Sequence, residues 1–226
     1  MSLKLRTPHA TRKRIRVLLV DGHPLVRERL ADVINREAGL VVSGEAEDRH
    51  EAIEAILAKP PDLVIVDLTL KNSDGLELIK DIHTRWPKMR MLVVSMHDES
   101  FYAERVIRAG AMGYITKQEA TRKILLAIRR VLAGRIYLNE KTSSRLIGRL
   151  IAHPHQMTVN PTDSLADREF QVFELTGRGL NTHDIAHRLH IAVKTVETYR
   201  ARIKEKLKLS DASELLQLAI AWSRNR

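Results

Sequence analysis

The chain has 226 residues, no cysteine and a formal net charge of +10 at neutral pH. That length allows one large or two small domains, and the missing cysteines exclude disulfides and thiolate metal sites, as expected of a reducing cytoplasm. No apolar run approaches membrane-spanning length and the N-terminus lacks an apolar signal-peptide core, so neither a membrane partner nor secretion is expected.

Residues 1–14 form a basic tail with five basic and no acidic groups. From residue 15 to about 133, apolar runs alternate with amphipathic segments. Residues 15–20, 40–43, 63–66, 91–94 and 113–115 read as five short strands, most of them rich in Val, Ile and Leu. Residues 24–36, 49–58, 75–85, 100–109 and 120–132 read as the helices that follow them. Strict alternation, with strands apolar on both faces, predicts a doubly wound parallel α/β sheet covered on both sides. Such sheets place their sites at the carboxyl ends of the strands.

Asp21, Asp67, Ser95 and Lys117 stand at those ends. Any one of them alone would read as a strand cap or the start of a loop. Together they bring a nucleophilic carboxylate, a second acid, a hydroxyl and an ammonium within reach of one phosphoryl group. That set suits phosphoryl transfer to Asp67, because a carboxylate can attack phosphorus while the cation offsets oxygen charge.

Residues 134–164 read as a linker with one helix, 139–151, followed by turn formers without periodicity, a flexible tether. Residues 165–226 then read as a small all-α domain. A helix from Asp167 ends near Gly177 or Gly179, a second runs from Asn181 to Leu189, and a short turn leads to a basic helix, 194–207. Two short helices and a tight turn are helix-turn-helix organisation, with the basic helix as the recognition helix. Val196, Ile203 and Leu207 recur at core-facing spacing. Glu197, Thr198 and Ala201 are candidates for base edges, with Lys194, Tyr199, Arg200, Arg202 and Lys206 toward the phosphates of double-stranded DNA and Thr195 a further DNA-binding candidate. Charge alone would equally describe a solvated surface helix. The unequal distribution argues otherwise: residues 15–117 are net acidic, whereas the tail, linker and C-terminal segment are net basic, so a polyanion partner fits one half only. His183 and His187 have metal-compatible helical spacing but no carboxylate-rich or cysteine partner nearby, and read as surface histidines.

The segment from Leu165 to about Trp222 resembles the LuxR-type domain of bacterial transcription regulators. Val20-Asp21, Val66-Asp67, Asp74-Gly75, Val94-Ser95 and Tyr114-Ile-Thr-Lys117 resemble a response-regulator receiver domain, flavodoxin-like in fold. The whole chain therefore resembles a NarL/FixJ-type regulator, cytoplasmic and not an enzyme. The resemblance implies Asp67 as phosphoacceptor, Ser95 as the hydroxyl that senses the phosphoryl group, Lys117 as its cation partner and Tyr114 as the aromatic that moves with it. It further implies a sensor histidine kinase as donor, a homodimer on DNA, and a receiver that covers the recognition helix until modification releases it.

Two departures in the C-terminal half concern stability: Ala192 replaces a capping Ser, and Lys208 replaces a Gly at a left-handed helix end. The departure that bears on function is Gly22. Receivers of this type have two adjacent acids after the first strand, the second binding Mg²⁺ directly; here Asp21, Asp67 and the carbonyl of Thr69 remain for Mg²⁺, a weakened site. Lys71, where many relatives have Pro, is expected to reach into the same crevice. Gly22 keeps open a phosphorylation-independent, docking receiver. An aspartyl-phosphate enzyme is a remoter alternative, disfavoured by Thr69 where such enzymes place a second acid.

Overall fold

The computed structural model describes residues 14–152 and 161–224. The basic tail to residue 13 and most of the expected tether, residues 153–160, lie outside the described residues. The N-terminal half runs β1 (Ile15–Val20), α1 (Pro24–Asn35), β2 (Leu40–Ala46), α2 (Arg49–Ala58), β3 (Leu63–Val66), a hairpin of β4 (Thr69–Leu70) and β5 (Ser73–Asp74), α3 (Gly75–Arg85), β6 (Arg90–Ser95), α4 (Glu99–Arg108), β7 (Tyr114–Thr116) and α5 (Lys117–Leu132). The main sheet is five-stranded and parallel, in the order β2-β1-β3-β6-β7. The order reverses between β1 and β3, and the crevice beyond their carboxyl ends is where such sheets take ligands.

Period-two alternation divides the strands between two faces. Val17, Leu19, Leu63, Ile65, Leu92 and Val94 pack with Leu30 and Ile34 of α1 and with Ile124 and Ile128 of α5. Leu18, Val20, Val64, Val66, Met91 and Val93 pack with α2, α3 and α4. The edge strand β2 continues to Ala46, three residues beyond its apolar run, because an edge can carry polar Ser43 and Glu45. The hairpin was not legible from periodicity. It turns through Lys71 and Asn72, the latter left-handed at φ 54°.

The Asp74-Gly75 pair has a local cause. The Asp74 carboxylate caps α3, accepting from the Leu76 and Glu77 amides at 2.7 and 3.3 Å. Gly75 lies so close to the strand end that a Cβ would overlap the Asp67 carbonyl oxygen. The phosphoacceptor candidate and the start of α3 are thus in backbone contact.

After α6 (Glu140–Ala152), whose first turn is capped by Asn139 accepting from the Thr142 amide at 2.7 Å, a short 3-10 turn (Pro161–Ser164) leads to α7 (Asp167–Gly177), α8 (Thr182–Leu189), α9 (Val193–Leu207) and α10 (Ala212–Arg224). Ala192 caps α9 without a side-chain bond, and Lys208 ends it left-handed at φ 56°. The two domains do not keep separate cores. Tyr102 of α4 meets Phe170 of α7 edge-on with ring centroids 5.3 Å apart, and Phe101 stacks on Trp222 of α10 at 4.8 Å. One apolar cluster thereby runs from the α3/α4 face of the sheet into the helical domain.

Gly75→Ala is expected to lower stability by about 3 kcal/mol, since the clash is with backbone that cannot rotate away. Urea unfolding of the two proteins side by side measures it; an unchanged midpoint would mean that α3 can retreat from the strand end.

Candidate functional site

The sheet brings Asp21, Asp67, Ser95 and Lys117 together. Lys117 Nζ lies 2.6 Å from Asp21 Oδ2 and 2.7 Å from Asp67 Oδ2, and all three side chains are buried. Lys117 is the first residue of α5, where a cation opposes the helix dipole, so the carboxylate pair must offset that placement. Burial raises the Asp67 carboxyl above its ordinary range, opposed by the Lys117 charge and assisted by the neighbouring Asp21 carboxylate. The Ser95 hydroxyl steadies the ionised form slightly. Asp67 Oδ1, by contrast, is buried without a hydrogen-bond partner of sound geometry.

The rest of the crevice differs in part from the expectations. Lys71 does not enter it: its Nζ pairs with Glu47 Oε1 at 2.5 Å and its amide donates to the Glu47 carbonyl, which holds the side chain away and raises its pKa. At Gly22 a Cβ would stand 3.5 Å from the Thr69 carbonyl oxygen, so the missing acid would have hung beside that expected ligand. His23, outside the set that the strand ends mark, sits at the mouth, its Nδ1 3.1 Å from Asp21 Oδ1 and 4.0 Å from Asp67 Oδ2. Asp21, His23 and Asp67 offer ligand atoms all within 4.8 Å of one another. Their place in the chain, Asp-Gly-His directly after a strand, was the signal available.

Tyr114 is wholly buried, its phenol donating to the His97 carbonyl at 3.0 Å and pushed well above its usual pKa by burial. His97, two residues past the end of β6, is a second residue outside that set. Its ring joins Thr69 Oγ1 at 3.2 Å on one side and Glu174 Oε2 of α7 at 3.6 Å on the other. Tyr102 donates to the same Glu174 oxygen at 3.2 Å. Around this link, Asp74 takes Arg168 at 3.1 Å and Gln171 at 3.1 Å, while Asp167 takes Lys80 at 2.5 Å and Arg105 at 3.1 Å. Arg105 also lies over the Phe170 ring, 3.9 Å from its centroid. The signal in the sequence was α7 itself: at 100° per residue, Phe170 and Phe173 lie opposite Val172 and Leu175, the pattern of a helix buried on both sides.

The receiver therefore grips α7 and α10, not the outward face of α9, and the expectation that it covers the recognition helix is corrected. Lys194, Glu197, Thr198, Ala201 and Arg202 are exposed, and Thr195 is half-buried. Three further candidates are otherwise engaged. Arg200 turns inward to Thr182 Oγ1 at 2.9 Å, Thr176 Oγ1 and the Leu180 carbonyl, and burial lowers its pKa. Lys206 pairs with Glu169 at 2.6 Å. Tyr199 packs against the core.

A family model for the response regulator receiver domain matches residues 17–129, and one for bacterial regulatory proteins of the luxR family matches residues 163–219. The oxygen regulatory protein NreC of Staphylococcus haemolyticus is 31% identical over 210 residues, 91% of this chain and 97% of that protein. A two-component response regulator of the LuxR family from an Aurantimonas species is 34% identical, with a TM-score of 0.56, covering 61% of this chain and 99% of its own. RcsB from Salmonella enterica serovar Typhimurium, bound to a promoter in the presence of the phosphomimetic BeF₃⁻, matches with a TM-score of 0.58 at 22% identity, covering 91% and 98%. At that identity the likeness is one of fold.

Lys117→Met should destabilise the metal-free protein by about 3 kcal/mol, because two buried carboxylates lose their shared counter-ion. Adding Asp67→Asn should restore part of that loss. A double-mutant cycle by urea denaturation tests the pair, and strict additivity would show the ion pair to be energetically idle.

Proposed function

Because the chain belongs to the response regulators that join a receiver to a LuxR-family DNA-binding domain, and is a two-component transcription regulator, we propose that phosphorylation of Asp67 controls its binding to DNA. The observation that carries this reading is the crevice: Asp67 is buried beside Asp21 and Lys117 at the carboxyl ends of the strands, with one oxygen that has no hydrogen bond of sound geometry. A sensor histidine kinase is the donor class that fits. Asp21, Asp67 and the Thr69 carbonyl would hold a divalent cation, Mg²⁺ if oxygen donors alone decide, and the ion would neutralise charge on the transferring phosphoryl group.

In this reading an Asp67 carboxylate oxygen attacks phosphorus as the P–N bond to the kinase's phosphohistidine breaks, its electron pair returning to that imidazole; Lys117 compensates the oxygen charge, and Ser95 follows the phosphoryl oxygens with Tyr114 behind it. Movement there reaches α7 through His97, which lies between Thr69 and Glu174. The grip on α7 and α10 then loosens and a two-state equilibrium shifts. Since the docked form leaves the outward face of α9 open, control acts on how two C-terminal domains can be spaced, not on access to one. RcsB dimers are found on DNA, which supports two copies of this chain on paired half-sites. Glu197, Thr198 and Ala201 are candidates for base edges, with Lys194 and Arg202 for phosphates.

Gly22 favours a second reading, in which the receiver docks a partner without being phosphorylated. The enzyme alternative loses support at Thr69, whose hydroxyl pairs with His97. Intact mass after incubation with a small phosphoryl donor separates the first two: a gain of one phosphoryl group, absent in Asp67→Ala, supports the switch, and no gain with any divalent cation, from protein that still binds DNA, supports docking.

Three further outcomes follow from the geometry. Arg202→Ala should weaken DNA binding across sequences and flatten the salt dependence by roughly one unit of slope. Arg200→Ala should leave that slope alone and instead lower stability by about 1–3 kcal/mol, since its acceptors are left unpaired; a reduced slope would return it to the phosphate contacts. Arg105→Ala, which frees Asp167 and Phe170 from α4, should raise the DNA affinity of the unphosphorylated protein and shrink the gain on phosphorylation. Equal affinities in a fluorescence titration would show that the docked form has no hold on DNA binding.

A further inference from the structure

The donors at the crevice mouth are not those of an all-oxygen site. Asp67 is 2% exposed and its Oδ1 has no hydrogen-bond partner of sound geometry, so a buried acceptor is left under-satisfied at the crevice. The Oδ2 atoms of both Asp21 and Asp67 are shared by Lys117. One ammonium between two buried carboxylates leaves an excess of negative charge. Gly22 supplies no third carboxylate. The side chain that stands nearest instead is His23, 54% exposed, with Nδ1 3.1 Å from Asp21 Oδ1 and 4.0 Å from Asp67 Oδ2. Its amide donates to the same Asp21 oxygen at 2.8 Å, which ties the backbone at His23 to the strand end.

We infer that His23 is a metal ligand, and that Asp21, His23 and Asp67 bind a first-row transition-metal ion such as Mn²⁺ or Zn²⁺ in preference to Mg²⁺. This rests on reading the crevice as a site for metal-assisted phosphoryl transfer, and changes which ion occupies it. Mg²⁺ is a hard cation that takes oxygen donors and gains little from an imidazole. Mn²⁺ and Zn²⁺ accept a nitrogen donor beside carboxylates, and Zn²⁺ gains more from it along the Irving–Williams series. Trading the acid at position 22 for the imidazole of His23 therefore weakens the site for Mg²⁺ while keeping it open to ions that accept a nitrogen donor. The hydrogen bond between His23 and Asp21 is the plainer use of that imidazole, but it leaves Asp67 Oδ1 buried and unanswered.

Calorimetric titration of the full chain with Mg²⁺, Mn²⁺ and Zn²⁺ as chlorides, each alone and without a phosphoryl donor, tests this. Asp67→Asn gives the background from the nine other histidines. The native chain is expected to bind Mn²⁺ and Zn²⁺ at least about tenfold more tightly than Mg²⁺, and His23→Gln to lose at least about tenfold for both while Mg²⁺ binding is unchanged, which also reports that the variant is folded. Gly22→Asp, which asks only a few tenths of an ångström from the Lys71 backbone, is expected to narrow the preference by strengthening Mg²⁺. Equal affinities for the three ions in the native chain, or full retention of Mn²⁺ and Zn²⁺ by His23→Gln, overturns the inference. Selective metal binding with no phosphoryl gain in the presence of any of the three ions would sustain it while sinking phosphorylation as the control.

Discussion

Two carboxylates and one ammonium are buried together where β1 and β3 end, and their charges do not cancel. In the low dielectric of a protein interior an excess charge is costly unless something answers it. Burial already raises the Asp67 carboxyl, and Lys117 is spent on two acids at once. The surrounding construction follows from holding that set in place. Lys117 is accepted at the start of a helix against the dipole, Gly75 lets α3 begin against the Asp67 carbonyl, and Asp74 caps the same helix. A cation entering the crevice would relieve the excess, and a phosphoryl group on the proposed acceptor would add charge that needs it again. The same imbalance that costs stability at rest makes the site responsive.

Responsiveness matters only if it is felt elsewhere, and the docked α7 is where it can be. Thr69 and Tyr114, one beside Asp67 and one behind it, both end on His97, whose ring faces Glu174. Glu174 is itself buried and also held by Tyr102 and Arg178. Buried polar contacts of this kind are satisfied in a narrow range of geometry, so a small displacement of His97 takes one partner from a buried acid that still faces Tyr102 and Arg178. The aromatic packing of Phe101, Tyr102, Phe170 and Trp222 supplies adhesion. The ion pairs supply discrimination between docked and released arrangements.

Most of this architecture was legible in the chain because it rests on periodicity. The apolar runs give the five strands, the crevice residues follow them directly, and the helix-turn-helix is marked by Asn181 and by the core spacing of Val196 and Ile203. What was not legible depends on where polar atoms end up once the chain has folded. Lys71 looked as if it would enter the crevice, yet Glu47, 24 positions earlier, captures it. His97 and Glu174 are 77 positions apart in the chain, and no local pattern announces that they meet. The domain contact had one local trace, apolar residues on opposite sides of α7, which is also what a helix deep in a single domain would show.

The basic helix shows how far charge counting can go. Arg200, Arg202 and Lys206 lie within seven residues and look equivalent in the chain. Arg202 is solvated, whereas Arg200 lies at an angle that carries its guanidinium over the start of α8, where Thr182, Thr176 and the Leu180 carbonyl face it. Lys206 is answered by Glu169 of α7. Two of the three cations therefore hold the recognition helix against the rest of its domain. A helix that must press against a polyanion needs such ties, because the attraction that draws it toward phosphates would also draw it off its own core. Its net charge overstates the phosphates it can neutralise and understates the rigidity with which Glu197, Thr198 and Ala201 are presented.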